Sequence, residues 1–271
     1  MGPGIMALQK PFAVYPLDLG TITTGDELSN RPAAHLKEFK HAGMIWETAL
    51  ASSIWVRCDL GSAKDIDFVA LLGTNATETT RIRIRLGDSQ AEVDGTADYD
   101  SGYIAIRTPA ITREDGKYHS FHRLPSVQTK RWIRIDADLH TDGFSAMALV
   151  VGKALDFSNF YSPLNTSFGQ EDYGELSFDR FGVVDDVPGN KMRILEMDFG
   201  WMADADRANK FQPLRDKIGT TGMAYWCFDP DATVQRQDKQ YFGHMLRPAF
   251  FKPSMYDQSR WQSQFQIRSI I

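Results

Sequence analysis

The chain has 271 residues, 42% hydrophobic and 24% charged, which excludes disorder, a collagen-like fibre and a coiled coil and leaves room for one large or two ordinary domains. Its 30 Lys and Arg stand against 35 Asp and Glu, a formal charge of −5, so no global basic field offers itself to a nucleic acid. The two cysteines, Cys58 and Cys227, exclude a disulfide framework and a four-thiolate metal site, and each falls in an apolar run that predicts a buried, reduced thiol.

The start, MGPGIMALQK, lacks the charged head and apolar stretch of a secretory signal. No later window nears the ~18 uninterrupted apolar residues of a membrane helix, so the expectation is a soluble chain made in the cytosol. From about Trp46 to Val151 short stretches of two-residue alternation are divided by Gly, Asn, Asp and Pro, the pattern of antiparallel strands with one face on a core. Ser53–Leu60 puts Ile54, Val56, Cys58 and Leu60 on one face, Arg81–Leu86 alternates Arg with Ile or Leu, and Lys130, Trp132 and Arg134 oppose Arg131, Ile133 and Ile135. Strands at this spacing without βα alternation predict a β-sandwich or jelly roll over residues 1–155.

Between Leu155 and Thr166 the chain mixes aromatics with Asn, Ser, Pro and Gly, and the domain boundary is placed there. Residues 156–271 form the second domain, with strands predicted at Glu175–Val184, Lys191–Trp201, Met223–Phe228, Tyr241–Phe251 and Gln258–Ile270. Leu195, Met197, Phe199 and Trp201 are expected to share one face. One helix is predicted, Ala203–Ile218, with Asp204 and Asp206 at its positive end, Phe211, Leu214 and Ile218 on one side, and Gly219 ending it. Pro213 removes an amide and predicts a kink or break near Phe211. The fold class is therefore mainly β: an N-terminal β-sandwich jelly roll followed by a β-sandwich module with one packed helix. Apolar alternation runs through both halves, so a fragment of residues 1–155 is expected to fold alone.

The sequence holds no phosphate-cradling loop, serine elbow or zinc-protease helix. Glu114-Asp115, Glu171-Asp172 and Asp185-Asp186 sit in turn-like surroundings and read as solvated carboxylates rather than acid–base pairs. Of the histidines, only His119 and His122 have a metal-like interval, and in a strand that interval sends the rings to opposite faces. Asp94, Asp98 and Asp100 could offer oxygens to calcium, yet the segment lacks the Gly and terminal Glu of the familiar loop, and a polar hairpin tip is the simpler reading. No catalytic residue, cofactor or metal is assigned. Arg81, Arg83 and Arg85 project from one strand face about 6.8 Å apart. They are solvated, paired to acids on an adjacent strand, or pressed against another subunit.

Ile54–Gly61 followed by Lys64–Asn75, with Trp132-Ile133-Arg134-Ile135 and the closing segment Ala146–Gly152, resembles the discoidin or galactose-binding-like jelly roll. Trp55, Asp59, Gly61, Trp132 and Arg134 carry the motif, which encodes the fold. Physically, Gly61 permits a positive φ and Asp59 can accept from turn amides. Trp55 and Trp132 are placed as packing on the sandwich faces, with sugar stacking as the alternative. Beyond the boundary, the helix, Gly219–Pro230, Tyr241–His244 and Trp261–Arg268 come in an order similar to the belt module of siphophage distal tail proteins. That resemblance implies a structural, non-enzymatic minor tail protein of a non-contractile phage, a homo-oligomeric ring expected to be a hexamer. Its partners would be tail-tube and tail-tip hub proteins, its place the virion tail. The alternatives are a protein recognising a host surface glycan and, third, a glycoside hydrolase with an accessory binding domain. No nucleic-acid or membrane partner is expected.

Overall fold

The computed structural model describes residues 10–39, 43–49, 54–107, 111–158, 166–178, 180–231, 236–246, 250–253 and 260–271. The chain is mainly β and divides into two compact units, Met1–Asp156 with Tyr225–Gln240, and Phe157–Ala224 with Tyr241–Ile271. Most of the boundary segment, residues 159–165, and Ser53, His41, Gln258 and Ser259 lie outside the described residues. Among the described residues no helix is long and apolar enough to cross a membrane.

The first unit is a β-sandwich built on one sheet in the order Thr21–Thr24, Trp55–Leu72, His122–Asp138, Arg81–Gly87, Tyr99–Ala105, with Ala148–Gly152 also pairing to Trp55–Leu72. The strand Trp55–Leu72 pairs with His122–Asp138 along one edge and with Thr21–Thr24 and then Ala148–Gly152 along the other, and its register against His122–Asp138 breaks between Asp59 and Lys64. Before the break, Val56, Cys58 and Leu60 point inward, against Ile82, Ile84, Leu86, Ile133 and Ile135. That is the face the alternation predicts. After it, alternation ceases, and Phe68 to Leu72 are all buried, as in a strand covered on both faces.

What covers the second face is the departure from the sequence reading. Phe68 packs against Phe12 (centroids 5.3 Å), Phe121 (5.5 Å) and Tyr225 (4.7 Å). The short strand Phe12–Val14 lies between Ala154–Asp156 on one side and Tyr225–Cys227 on the other. Fully buried Gln237 then reproduces a strand pairing with one side chain. Its Oε1 accepts from the His119 amide at 2.9 Å, and its Nε2 donates to the His119 carbonyl at 2.8 Å. Arg113 adds bonds to the Gln237 carbonyl at 3.1 Å and Asp238 at 2.8 Å. Tyr225–Gln240, assigned to the C-terminal domain by the 1–155/156–271 division, is thus part of the first unit, because it supplies the missing cover for Phe68 and the missing partners for His119.

In the second unit Ser167–Asp172, Lys191–Ala203 and Arg260–Ser269 lie side by side, and the far edge of Arg260–Ser269 is shared by Gln240–Met245, here from Tyr241 onward, and Phe250–Pro253. The predicted strand Tyr241–Phe251 is therefore two strands. Leu195, Met197 and Phe199 are buried together as expected, but Trp201 is 55% exposed. A bulge between Phe199 and Met202 sets Gly200 and Trp201 together opposite Gln262, and Met202 takes the inward position.

The predicted helix is present as Asp204–Asp206, a wide turn over Arg207–Phe211, and Gln212–Ile218. The widening falls just before Pro213, whose missing amide cannot close an ordinary turn there. Gly219 ends the helix at φ 56°. Phe211 stacks on Phe157 at 4.3 Å and meets Phe199 edge-on at 5.1 Å, fixing the helix to the sheet. The buried Asp206 accepts from the Ser158 amide at 3.0 Å and pairs with Lys210 at 2.7 Å. Burial alone would raise its carboxyl, but the bonds from Lys210 and Ser158 outweigh it and hold the group below the usual carboxylate range.

Candidate interaction surfaces

The outward face of the first unit's sheet carries most of the residues singled out in the sequence, and it matches charge with charge. Arg81 meets Asp138 at 2.8 Å, Arg83 meets Asp100 through Nε at 2.9 Å, and Arg85, buried, meets Asp136 at 2.7 Å. The stripe is therefore paired across neighbouring strands, as one of the three sequence readings has it. Arg134 extends the network to Asp136 at 2.8 Å and Asp94 at 2.6 Å, and Asp94 also receives Arg57. Hydrogen bonds from Arg83 and Arg81 hold the carboxyls of Asp100 and Asp138 below their ordinary range. At Asp94 burial pulls upward and is outweighed by Arg134 and Arg57.

Trp55 and Trp132 are part-exposed members of this face and stand outside the sandwich core. Guanidinium groups lie over both rings. Arg134 and Arg57 sit 4.5 and 5.2 Å from the Trp55 centroid, and Arg131 and Arg57 sit 5.7 and 5.9 Å from that of Trp132. Both rings thus serve as platforms for cations. Asp59 does what its motif requires. It takes Arg131 at 2.6 and 2.7 Å and the Gly61 amide at 2.9 Å, and Gly61 sits at φ 75°. The Arg131 bond is the main reason its carboxyl is held low.

The histidine pair does not converge. His119 is buried with Nδ1 accepting from the Gly73 amide at 3.0 Å, whereas His122 Nε2 meets the Tyr99 hydroxyl at 2.6 Å. The calcium reading fares no better. Asp94 and Asp100 are engaged by arginines, and Asp98 instead clusters with Asp88 and Glu92, their oxygens within 4.8 Å. Lys130 bridges Asp88 (2.7 Å) and Asp98, and Glu92 is the capping partner of Ser89. An ammonium already occupies the position a cation would take. Cys58 and Cys227 are buried, and burial pushes both thiols up to about 12, which leaves them protonated and inert.

Sequence reasoning missed the most exposed apolar element. The predicted strand Glu175–Val184 is a hairpin, Glu175–Phe178 against Val184–Val187, turning through Gly182 at φ 78°. Leu176 lies opposite Asp186 and Phe178 opposite Val184, so three apolar side chains share one face. All three are more than half exposed, and Phe181 and Val183 in the turn more so than Val184. The signal was present in Gly182, which divides two apolar-alternating stretches. Its exposure was not legible, because a strand with an apolar face reads as core.

No protein-family model matches the sequence, and no curated protein matches it. Solved structures do resemble it. Chitosan-binding module 1 of a chitosanase/glucanase from Paenibacillus sp. IK-5 is 17% identical, covering 51% of this chain and 98% of its own, at TM-score 0.37. A Streptococcus pneumoniae fucose binding module is 12% identical, covering 51% and 94%, at TM-score 0.39. The family 32 carbohydrate-binding module of C. perfringens NanJ, solved with galactose, is 18% identical, covering 53% and 99%, at TM-score 0.38. These likenesses concern the fold of about half the chain and go no further.

Proposed function

We propose that this chain is a non-catalytic structural protein whose C-terminal unit joins copies of itself. The observation that carries the reading is the hairpin face of Leu176, Phe178 and Val184, since soluble monomers rarely leave a contiguous large apolar patch bare. Light scattering is expected to give a mass that rises with concentration above that of one chain, and Leu176→Asp is expected to weaken association at least tenfold. A wild-type chain that stays monomeric at every concentration sinks the reading. Its finer form, a hexameric ring between tail tube and tip of a non-contractile phage, rests on the sequence resemblance alone.

The first unit carries a second reading, carbohydrate binding. It is favoured by the part-exposed indoles of Trp55 and Trp132 set among guanidinium and carboxylate groups, a mixture of ring faces, donors and acceptors suited to a pyranose. Solved modules of similar fold are described as binding chitosan or fucose, or are solved with galactose. Titration with chitosan oligomers, fucose and galactose should give saturable binding to one of them, weakened about tenfold by Trp132→Ala, the loss of one stacking contact. Absence of binding to all three leaves the indoles as packing.

A further inference from the structure

Resting on the self-association reading, we infer that the contact is head-to-tail: the hairpin of one copy docks on the edge strand Phe250–Pro253 of the next. The two surfaces sit at separate places on the second unit's sheet. The hairpin extends from the Asp172/Lys191 end of the paired strands Ser167–Asp172 and Lys191–Ala203, whereas Phe250–Pro253 lies across Arg260–Ser269, against Trp261 to Gln264. Each copy thus offers two different surfaces, which is what a heterologous contact requires.

The surfaces also match in chemistry and in period. On Phe250–Pro253, Phe250 is opposite Gln264 and Lys252 opposite Gln262, so an exposed aromatic and an ammonium share one face about 6.8 Å apart. On the hairpin, the row Phe178/Val184 is apolar and the next row on that face, Leu176/Asp186, ends in a carboxylate, at the same spacing. Laying one along the other sets Phe250 on Phe178 and Val184 while Lys252 meets Asp186. Neither Asp186 nor Lys252 has an ion-pair partner among the described residues, in contrast to the first unit's sheet face. That face of the hairpin thus sets a carboxylate beside apolar side chains and the strand Phe250–Pro253 sets an ammonium beside an aromatic, and the far backbone edge of that strand, unpaired among the described residues, is covered in the process.

The test uses two full-length variants, Phe178→Asp and Phe250→Asp, each exposed and therefore tolerant of the change. Each alone is expected to sediment as a monomer. Their equimolar mixture is expected to form a dimer and nothing larger, because one intact hairpin and one intact edge remain. Asp186→Lys should weaken wild-type association about tenfold or more, and adding Lys252→Glu should restore it. If Phe250→Asp assembles like wild type while Phe178→Asp does not, the edge strand is not the receptor, although self-association stands. A mixture that stays monomeric overturns the head-to-tail arrangement. A monomeric wild type overturns both this assignment and the reading beneath it.

Discussion

A chain ending at Asp156 is expected not to form a stable native state. Removing Tyr225–Gln240 uncovers the Phe68 face, strips Phe12–Val14 of one strand partner, and leaves the buried His119 amide and carbonyl without Gln237. Each large apolar side chain lost from a core withdraws roughly 1.5–3 kcal/mol and each orphaned buried polar group roughly 1–3 kcal/mol. Their sum reaches the 5–15 kcal/mol that ordinarily separates folded from unfolded. Near-ultraviolet circular dichroism of the fragment should lack fixed aromatic signals, and its thermal transition should be broad or absent. In the full chain, Gln237→Ala should lower the unfolding free energy by about 2–4 kcal/mol. A fragment 1–156 that melts cooperatively near the full chain's temperature would show that Tyr225–Gln240 is an accessory.

In the second unit the largest single-residue effect is expected at Phe211. Its ring touches Phe157, Phe199 and Phe265, and it is the largest of the helix's buried apolar side chains, beside Leu214 and Ile218. Phe211→Ala should cost about 3–5 kcal/mol by chemical denaturation, the usual range for emptying an aromatic from a core. Pro213→Ala, two residues on and exposed, touches no such cluster and should change stability by well under half as much. Equal effects from the two would mean that the wide turn, and not the aromatic contact, secures the helix.

Where the chain obeys a period, its structure was legible. The alternation of Ile54, Val56, Cys58 and Leu60 and that of Ile82, Ile84 and Leu86 read directly onto buried faces. So did the helix with its Gly219 stop. Where one residue breaks the period the reading failed, as at Trp201, since the local mark of the bulge is only Gly200 beside it, and whether a bulge forms there depends on the partner strand. The cover for Phe68 was half legible. Phe68-Val69-Ala70-Leu71-Leu72 abandons alternation, which announces a strand buried on both faces, but nothing local says that the second cover arrives from Tyr225. The pairing of Arg81, Arg83 and Arg85 followed from strand logic, which allowed acids on a neighbour, whereas which acids depends on register. Trp55 and Trp132 were read as faces of the sandwich without their guanidinium companions, which come from other positions of the same sheet.

The pairing of Phe12–Val14 with Tyr225–Cys227 also sets a clock. A ribosome adding ~5–20 residues per second reaches Cys227 on the order of 10–40 s after Phe12 has been made. Through that interval the second face of Phe68 waits uncovered, while most of the C-terminal unit's sequence emerges before the first unit can close. The N-terminal unit is thus the first to begin but cannot close until Gln240 has been made, only some thirty residues before the second unit receives its own last strand, Arg260–Ser269. Its exposed Phe12, Phe68 and Phe121 are the natural point of engagement for a chaperone, and slowing translation between Asp156 and Tyr225 should raise the yield of aggregated chain far more than slowing it before Asp156.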